Sequence, residues 1–294
     1  MASSFKLPSY AKINLGLNIL GKRPDGFHEL ETILQQIDLQ DEISFEELES
    51  PGLQFECDDR SLPSGESNLC VRAYRLLAES GLAKTGVRIK LTKIIPVGSG
   101  LGGGSSNAAV VLLGLCKLWQ ARLQPEELEA MAATLGSDVP FFIRGGTAWA
   151  TGRGERLQPG ELQLRSQVVL VVFSGLHIST AWAYDNLNLD LTMREKNLNL
   201  SRFKDKKFND VDFFAHLRND FEGCVFAEFK ELGEIKKQLC DSGATFAGLS
   251  GSGSAIVGLY ESKEVAARVE GLFPDNHRIF VSAFIKWGYA QLFN

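Results

Sequence analysis

The sequence lacks the features that mark several specialised classes of protein. Its 294 residues carry a formal net charge of -5, so no excess of basic residues favours nucleic acid. No apolar run reaches the roughly 18 residues that a membrane-spanning helix needs. The opening segment, MASSFKLPSY, is too short before the first predicted strand to form a signal or transit peptide. We therefore expect a protein that binds neither nucleic acid nor membrane, and the cysteine pattern described next favours the cytoplasm.

Cysteine and histidine are scarce and scattered. The 5 cysteines are odd in number and contain no C-x-x-C pair, which predicts reduced thiols. The 4 histidines show no metal-binding spacing such as H-E-x-x-H. Neither residue type identifies a metal site.

Length and hydrophobic patterning predict an α+β protein. The chain suits two lobes that share a cleft, and we place them at residues 1–160 and 161–294. Apolar and polar side chains alternate over residues 11–20, which predicts a half-buried strand with Lys12 and Asn14 on its polar face. Strands and helices then mix without a regular β-α alternation. Helical patterns cover residues 68–80, 105–119, 125–136, 219–239 and 261–273, and residues 186–210 are interpreted as a connection or small helices.

A glycine-rich loop, PVGSGLGGGSS at residues 96–106, is the strongest local signal. Glycine loses much conformational entropy when it is ordered, so five glycines before a helix need a reason. A tight connection without a ligand is one interpretation. A dinucleotide site is another, but no acidic residue ends a following strand as the G-x-G-x-x-G fingerprint requires. A phosphate site is the third, because free N–H groups at a helix start attract anions.

Two motifs in the same order resemble the GHMP superfamily, which contains galactokinase, homoserine kinase, mevalonate kinase and phosphomevalonate kinase. Residues 96–106 resemble its ATP-binding loop, and GLSGSGSA at residues 248–255 resembles its third glycine motif. The resemblance implies a two-lobed kinase that uses ATP, with Mg²⁺ expected beside it. It assigns to ATP binding Asn68, Lys93, Pro96, Gly98, Gly100, Leu101, Gly102, Gly103, Gly104, Ser105, Ser106 and Asn107, and to the third motif Gly251, Ser252 and Gly253.

Three further segments resemble one family within that superfamily, the 4-diphosphocytidyl-2-C-methyl-D-erythritol kinases. They are PSYAKINLGLNILGKRPDGFHELETI at residues 8–33, GSDVPFF at residues 136–142 and STAWAY at residues 179–184. This resemblance implies ATP-dependent phosphorylation of the 2-hydroxyl of the cytidylylated methylerythritol, in the non-mevalonate route to isoprenoids. We expect a monomer or a weak homodimer.

Lys12 and Asp138 are the candidate catalytic residues. Taken alone, Lys12 is interpreted as a solvent-exposed lysine on a strand, and Asp138 as an aspartate that caps a turn. A lysine ammonium beside Asp138 would keep the carboxylate ionised and polarise a substrate hydroxyl, with Asn14 as an orienting partner. The resemblance assigns the pair to catalysis. A loose transition state for phosphoryl transfer needs little help from a base, so two roles are compatible with the chemistry. Asp138 abstracts the proton, or it only orients the hydroxyl.

The candidate substrate residues are Phe27, His28, Thr180 and Tyr184. Phe27 and His28 suit stacking on cytosine and hydrogen bonding to its edge. Taken alone, Phe27 is interpreted as a core aromatic residue and His28 as a surface histidine. The family usually has tyrosine at the position of Phe27. The phenylalanine ring can still stack, but it has no hydroxyl to form a hydrogen bond. Tyr184 would supply a second ring and Thr180 a polar neighbour.

Three alternative functions share some of these sequence features. A homoserine or mevalonate kinase would have no use for GFHEL and STAWAY. A non-catalytic ligand-binding member of the fold is disfavoured because both Lys12 and Asp138 are present. A nicotinamide-dependent oxidoreductase is disfavoured by the incomplete fingerprint around the glycine loop.

Overall fold

A computed structural model describes residues 3–162, 168–187, 213–214 and 216–286. All but the first two residues of the predicted connection at 186–210 lie outside the described residues. The elements in chain order are β1 (Ser4–Lys22), β2 (His28–Leu48), β3 (Leu53–Cys57), α1 (Leu69–Glu79), β4 (Gly86–Thr92), α2 (Gly103–Leu118), α3 (Pro125–Leu135), α4 (Val139–Arg144), β5 (Thr147–Gly152), β6 (Arg156–Gly160), β7 (Val168–Phe173), α5 (Thr180–Asp185), α6 (Glu222–Glu228), α7 (Lys230–Asp241), β8 (Phe246–Leu249), β9 (Ile256–Tyr260), α8 (Lys263–Glu270) and β10 (Arg278–Ala283).

The first sheet is built on one long antiparallel pair. β1 and β2 run for 19 and 21 residues and pair from Ser4↔Glu46 to Lys22↔His28. Within the described residues this sheet has six strands in the order β3-β4-β2-β5-β6, with β1 beside β2. β2 is continuous over its 21 residues, and β1 shifts register three times along it.

The second sheet has the order β10-β7-β9-β8 and lies wholly between residues 168 and 283. Hydrogen bonds join it to the first sheet. The Asp38 carboxylate after the middle of β2 accepts from the Ser282 hydroxyl at 2.5 Å and the Ala283 amide at 2.7 Å. The two sheets fall on either side of residue 160, and on that basis we propose residues 1–160 and 161–294 as the two lobes.

β1 is buried on both faces, so the prediction of a half-buried strand is wrong. Every residue from 11 to 19 is buried, and the polar Lys12, Asn14 and Asn18 are only 3%, 3% and 5% exposed. Ile13 and Leu15 face a core shared by both sheets. The polar face is covered because the glycine loop and the third glycine motif pack over it.

The helices confirm most of the sequence pattern, with three differences. α2 begins at Gly103 rather than Ser105, because the glycines themselves form its first turn. The helix predicted over residues 219–239 is two helices, α6 and α7, with a break at Phe229. α4 was not predicted as a helix, since its six residues are too short to show a period.

The described residues include all five cysteines and every helix named above. All five cysteines are free. Among the helices of the described ranges, none has the length and apolar character to cross a bilayer.

Gly114 marks the tightest approach of α2 to the first sheet. A Cβ at this position would overlap the Phe45 ring on β2. We expect Gly114→Ala to lower the free energy of unfolding by about 1–3 kcal/mol, as overpacking does. The matched control is Gly223→Ala in α6, where the added Cβ meets nothing and stability should be unchanged or slightly higher. Urea denaturation measures both, and a Gly114→Ala protein as stable as wild type would contradict this packing.

Candidate active site

A cavity of about 760 Å³ lies between the first sheet on one side and α5 and the third glycine motif on the other. It brings together segments that are far apart in sequence, namely β1, the turn before β2, the glycine loop, the start of α4, α5 and the third glycine motif. The predicted site residues that line it are Lys12, Asn14, Phe27, His28, Asn68, Lys93, Pro96, Gly98, Gly100, Gly102, Gly103, Gly104, Ser105, Asn107, Asp138, Thr180, Tyr184, Gly251 and Ser252. Leu101, Ser106 and Gly253 are not among its lining residues.

Lys12 is the buried charge at the centre of this cavity. Its Nζ donates to the Asn14 Oδ1 at 2.5 Å and to the Gly100 carbonyl at 2.8 Å. The Asp138 Oδ2 lies 3.9 Å away, on a side chain that is 37% exposed. Asn14 is fixed in turn, because its Nδ2 donates to the Thr32 hydroxyl at 2.9 Å. Strand β1, the glycine loop and the start of α4 therefore converge on one ammonium group.

Burial lowers the pKa of Lys12, and the nearby Asp138 carboxylate opposes that shift. An ammonium withdrawn from water loses its hydration, so the charged form is disfavoured unless other groups replace the lost contacts. The two oxygen acceptors and the carboxylate supply those contacts. In its protonated form, which these contacts favour, Lys12 carries a charge that acts more strongly in this pocket than it would in water.

The third glycine motif covers Lys12 from the second lobe. A Cβ on Gly251 would lie 3.4 Å from the Lys12 Nζ and from the Asn14 Oδ1. The motif is held by Asn219, whose Nδ2 donates to the carbonyls of Leu249 and Gly251, both at 2.8 Å. Asn219 could not be identified from the sequence, because a single asparagine at the first position of a predicted helix carries no signal of its own.

The glycine loop owes its shape mainly to contacts within the protein. Gly100 and Gly102 have positive φ values of 78° and 71°. A Cβ on Gly100 would overlap the Ser250 carbonyl, and one on Gly102 would lie 2.8 Å from the Phe142 ring. Contacts within the protein therefore require glycine at these two positions, whether or not a phosphate is bound. Among the glycines that open α2, Gly104 alone has only a distant neighbour, Leu69 at 3.8 Å.

Lys93 and Asn107 belong to a buried polar network behind the loop. Lys93 forms an ion pair with Asp41, which is 0% exposed, and Asn107 donates to the same carboxylate at 2.8 Å. The other Asp41 oxygen accepts from the amides of Ile94 and Ile95 at 2.7 and 2.8 Å. This network holds the chain that enters the glycine loop. Asp41 could not be identified from the sequence, because a single acidic residue in an alternating strand is expected to face solvent.

Two other predicted ATP-binding residues are engaged elsewhere. The Ser106 hydroxyl is fully buried and accepts from the Ser9 hydroxyl at 2.9 Å, so it does not reach the cavity. The Asn68 side chain caps α1 by accepting from the Cys70 amide at 2.9 Å. Ser105, by contrast, does line the cavity.

The aromatic residues cluster at the other end of the cavity, in an arrangement that differs from the predicted pair of rings. His28 stacks on Tyr184, with ring centroids 4.6 Å apart and planes 16° from parallel. Phe27 is 51% exposed, and the Arg153 guanidinium lies 4.6 Å from its ring centroid. The Thr180 and Ser252 hydroxyls are 2.9 Å apart, which links α5 to the third motif.

The Asp41–Lys93 pair provides a test of whether Lys93 is a structural residue or an ATP ligand. We expect Lys93→Met to lower the free energy of unfolding by about 3–5 kcal/mol, because it leaves a buried carboxylate unpaired. The double variant Asp41→Asn/Lys93→Met should recover part of that loss. Urea denaturation and the KM for ATP are measured together. A Lys93→Met protein of normal stability with a raised KM for ATP would contradict the structural role.

Comparison with known proteins identifies the family. The chain matches the family models described as GHMP kinases N terminal domain, over residues 68–146, and GHMP kinases C terminal, over residues 204–271. It is 42% identical over 266 residues to a 4-diphosphocytidyl-2-C-methyl-D-erythritol kinase of Prosthecochloris aestuarii, covering 90% of this chain and 92% of the relative. A protein of the same name from Chlorobaculum tepidum is 41% identical over 276 residues, covering 94% and 96%.

Solved structures agree. A crystal structure of 4-(cytidine 5'-diphospho)-2C-methyl-D-erythritol kinase matches with a TM-score of 0.80 and 36% identity, covering 95% of this chain and 99% of that one. A homoserine kinase from Cytophaga hutchinsonii matches with a TM-score of 0.70 at 19% identity, covering 97% of this chain and 96% of that one, which shows a shared fold alone. The chain belongs to the 4-diphosphocytidyl-2-C-methyl-D-erythritol kinase family of the GHMP kinases.

Proposed function

We propose that this protein transfers the γ-phosphoryl group of ATP to the 2-hydroxyl of 4-diphosphocytidyl-2-C-methyl-D-erythritol, in the non-mevalonate route to isoprenoids. The observation that carries the proposal is the buried Lys12 ammonium, held between the Gly100 carbonyl and the Asp138 carboxylate in a cavity that ends in an aromatic cluster. The relatives at 41–42% identity bear the name of this reaction's enzyme.

The roles of Lys12 and Asp138 follow from the chemistry of phosphoryl transfer. The reaction depends on positioning and charge stabilisation more than on covalent help from the protein. Asp138 is exposed to the cavity and accepts the hydrogen bond of the substrate hydroxyl in this proposal. Lys12 lies between that carboxylate and the glycine loop, so its charge stabilises the negative charge that develops on the transferred group.

The first turn of α2 is the proposed binding site of the ATP phosphates. The early N–H groups of a helix have no intrahelical acceptor, and the helix dipole places partial positive charge there. Gly103, Gly104 and Ser105 present that turn to the cavity. We infer that Mg²⁺ arrives with ATP, because the described residues contain no group of three or more metal-binding side chains. Phosphate oxygens, water and the Ser105 hydroxyl fit its preference for oxygen ligands.

The aromatic cluster is the proposed cytosine site. The exposed ring of Phe27 offers a face for stacking, and His28 offers ring nitrogens for the polar edge of the base. Partial burial, with the charge of Lys22, lowers the pKa of His28. The imidazole is therefore neutral near pH 7, with one donor and one acceptor nitrogen.

We also propose that the protein is a cytoplasmic enzyme and a monomer or weak homodimer. The five free thiols fit a reducing compartment. The negative net charge gives no support to a nucleic-acid partner.

The direct test of the proposed function is a coupled assay of ADP release with three alcohols. We expect turnover with the cytidylylated methylerythritol and none above background with homoserine or mevalonate. Phosphorus NMR of the product would locate the new phosphate at the 2-position. Turnover of homoserine or mevalonate, with the cytidylylated substrate inert, would overturn the proposal.

Lys12→Met separates the catalytic role of the ammonium from its effect on folding. We expect kcat to fall by about a hundredfold or more, as when a preorganised charge is removed from an active site. The free energy of unfolding should stay within about 1 kcal/mol of wild type, because the relieved burial of a charge offsets the lost hydrogen bonds. Lys90→Met, on the exposed side of β4, is the control. Normal kcat in Lys12→Met would contradict the assignment.

Phe27→Ala and His28→Ala test the cytosine site. Stacking on an aromatic ring is worth about 1–3 kcal/mol per base, so Phe27→Ala should lower kcat/KM for the substrate by about tenfold to a hundredfold. Phe27→Tyr should be mild, since stacking is retained. His28→Ala should narrow the preference for the cytidine over the uridine analogue. If both alanine variants keep wild-type kcat/KM for both analogues, the base binds elsewhere.

Gly104→Val tests the phosphate site without the packing conflict that valine would meet at Gly102. The Cβ of the added side chain meets only the Leu69 Cδ1, at 3.8 Å, and lies at the opening of α2. We expect Gly104→Val to have a higher KM for ATP and an unchanged melting temperature. The KM of Gly104→Ala for ATP should lie between those of wild type and Gly104→Val. Unchanged KM for ATP in Gly104→Val would place the phosphates away from this turn.

A further inference from the structure

We propose that Arg153 binds the diphosphate that joins the cytidine and sugar-alcohol parts of the substrate. This inference rests on the proposed function and assigns a residue that neither the glycine motifs nor the catalytic pair includes. Arg153 follows β5 directly, and its half-buried side chain lines the cavity at the aromatic end.

The position of Arg153 matches the middle of the substrate. Its guanidinium carbon lies 4.6 Å from the Phe27 ring centroid, on the proposed cytosine side. The next residue, Gly154, is against Asp138, since a Cβ there would lie 3.8 Å from the Asp138 Oδ1. A substrate with its base at Phe27 and its hydroxyl at Asp138 must carry its diphosphate across this span.

The charge of Arg153 is available to a ligand. In the ranges that the structure describes, its guanidinium forms no ion pair and lies over the face of Phe27, and Asp25 is close enough to interact with its charge. The nearby Asp25 carboxylate is already held by Arg23, with contacts of 2.9 to 3.2 Å. Glu155 accepts from the Arg153 backbone amide at 2.6 Å rather than from its side chain.

The chemistry of the guanidinium suits this task. Its planar donors can form two parallel hydrogen bonds to a phosphate, and the group stays charged at all relevant pH values. Stacking on Phe27 limits its freedom before the ligand arrives, which lowers the entropy lost on binding. One side chain therefore supports the ring that stacks on the base and neutralises the adjoining diphosphate.

The test compares the affinities of cytidine and CDP, which differ only in the diphosphate. Both are titrated calorimetrically with a saturating non-hydrolysable ATP analogue, so that CDP cannot enter the ATP site. We expect wild type to bind CDP more tightly than cytidine by about tenfold to a hundredfold, the strength of charge-assisted hydrogen bonds. Arg153→Met should lose most of that advantage while its cytidine affinity stays within about twofold, and Arg153→Lys should retain part of it.

The matched control is Arg156→Met, an exposed arginine on β6 that does not line the cavity. Arg156→Met should leave the affinities for cytidine and CDP unchanged, and also the KM values of the substrate and of ATP. Arg153→Met, in contrast, should raise the KM of the substrate and not that of ATP. A full CDP advantage in Arg153→Met would overturn the assignment. An equal loss of cytidine and CDP affinity would also overturn it, because Arg153 would then act through Phe27 alone. Wild-type protein that binds neither compound would instead overturn the proposed substrate, and the Arg153 assignment with it.

Discussion

The site depends on one buried positive charge, the ammonium of Lys12. Burying an unpaired charge costs several kcal/mol, so the protein must surround it with oxygen atoms. Those atoms come from Asn14 on the same strand, Gly100 in the glycine loop and Asp138 before α4. The second lobe adds the close approach of Gly251. Compensation of this charge therefore fixes the relative positions of the segments that form the cavity.

The glycine loop is preorganised by the protein rather than by its ligand. Gly100 and Gly102 fit against Ser250 and Phe142, and the Asp41–Lys93 pair anchors the chain that enters the loop. A loop held in this way presents the first turn of α2 without further ordering, which saves entropy when phosphate binds. The same contacts explain why substitutions at most of these glycines would disturb folding before they reported on ATP.

Local patterns predicted the elements better than they predicted the environment of each residue. The alternation along residues 11–20 identified β1, but period alone could not show that its polar face is covered by segments some 90 and 240 residues later. The motifs brought Lys12, Asp138 and the glycine loop to one cavity, where they are found. They could not show that Ser106 turns toward Ser9, because side-chain direction within a first helical turn depends on tertiary neighbours. Asp41, Asn219 and Arg153 gave no signal, since each acts through partners distant in sequence.

The fold is shared with homoserine and mevalonate kinases at 19% identity or less, so the fold alone does not select a substrate. What the account requires in every case is that Lys12 be a buried ammonium stabilised by Asp138. The most direct measurement is an NMR titration of ¹⁵Nζ-labelled lysine, with Lys12→Met to assign the signal. The account predicts a pKa for Lys12 below the ordinary value of a lysine side chain, and a further decrease in Asp138→Asn, because the carboxylate raises the pKa. A Lys12 signal that titrates at the ordinary lysine value, or that is unmoved by Asp138→Asn, would contradict it.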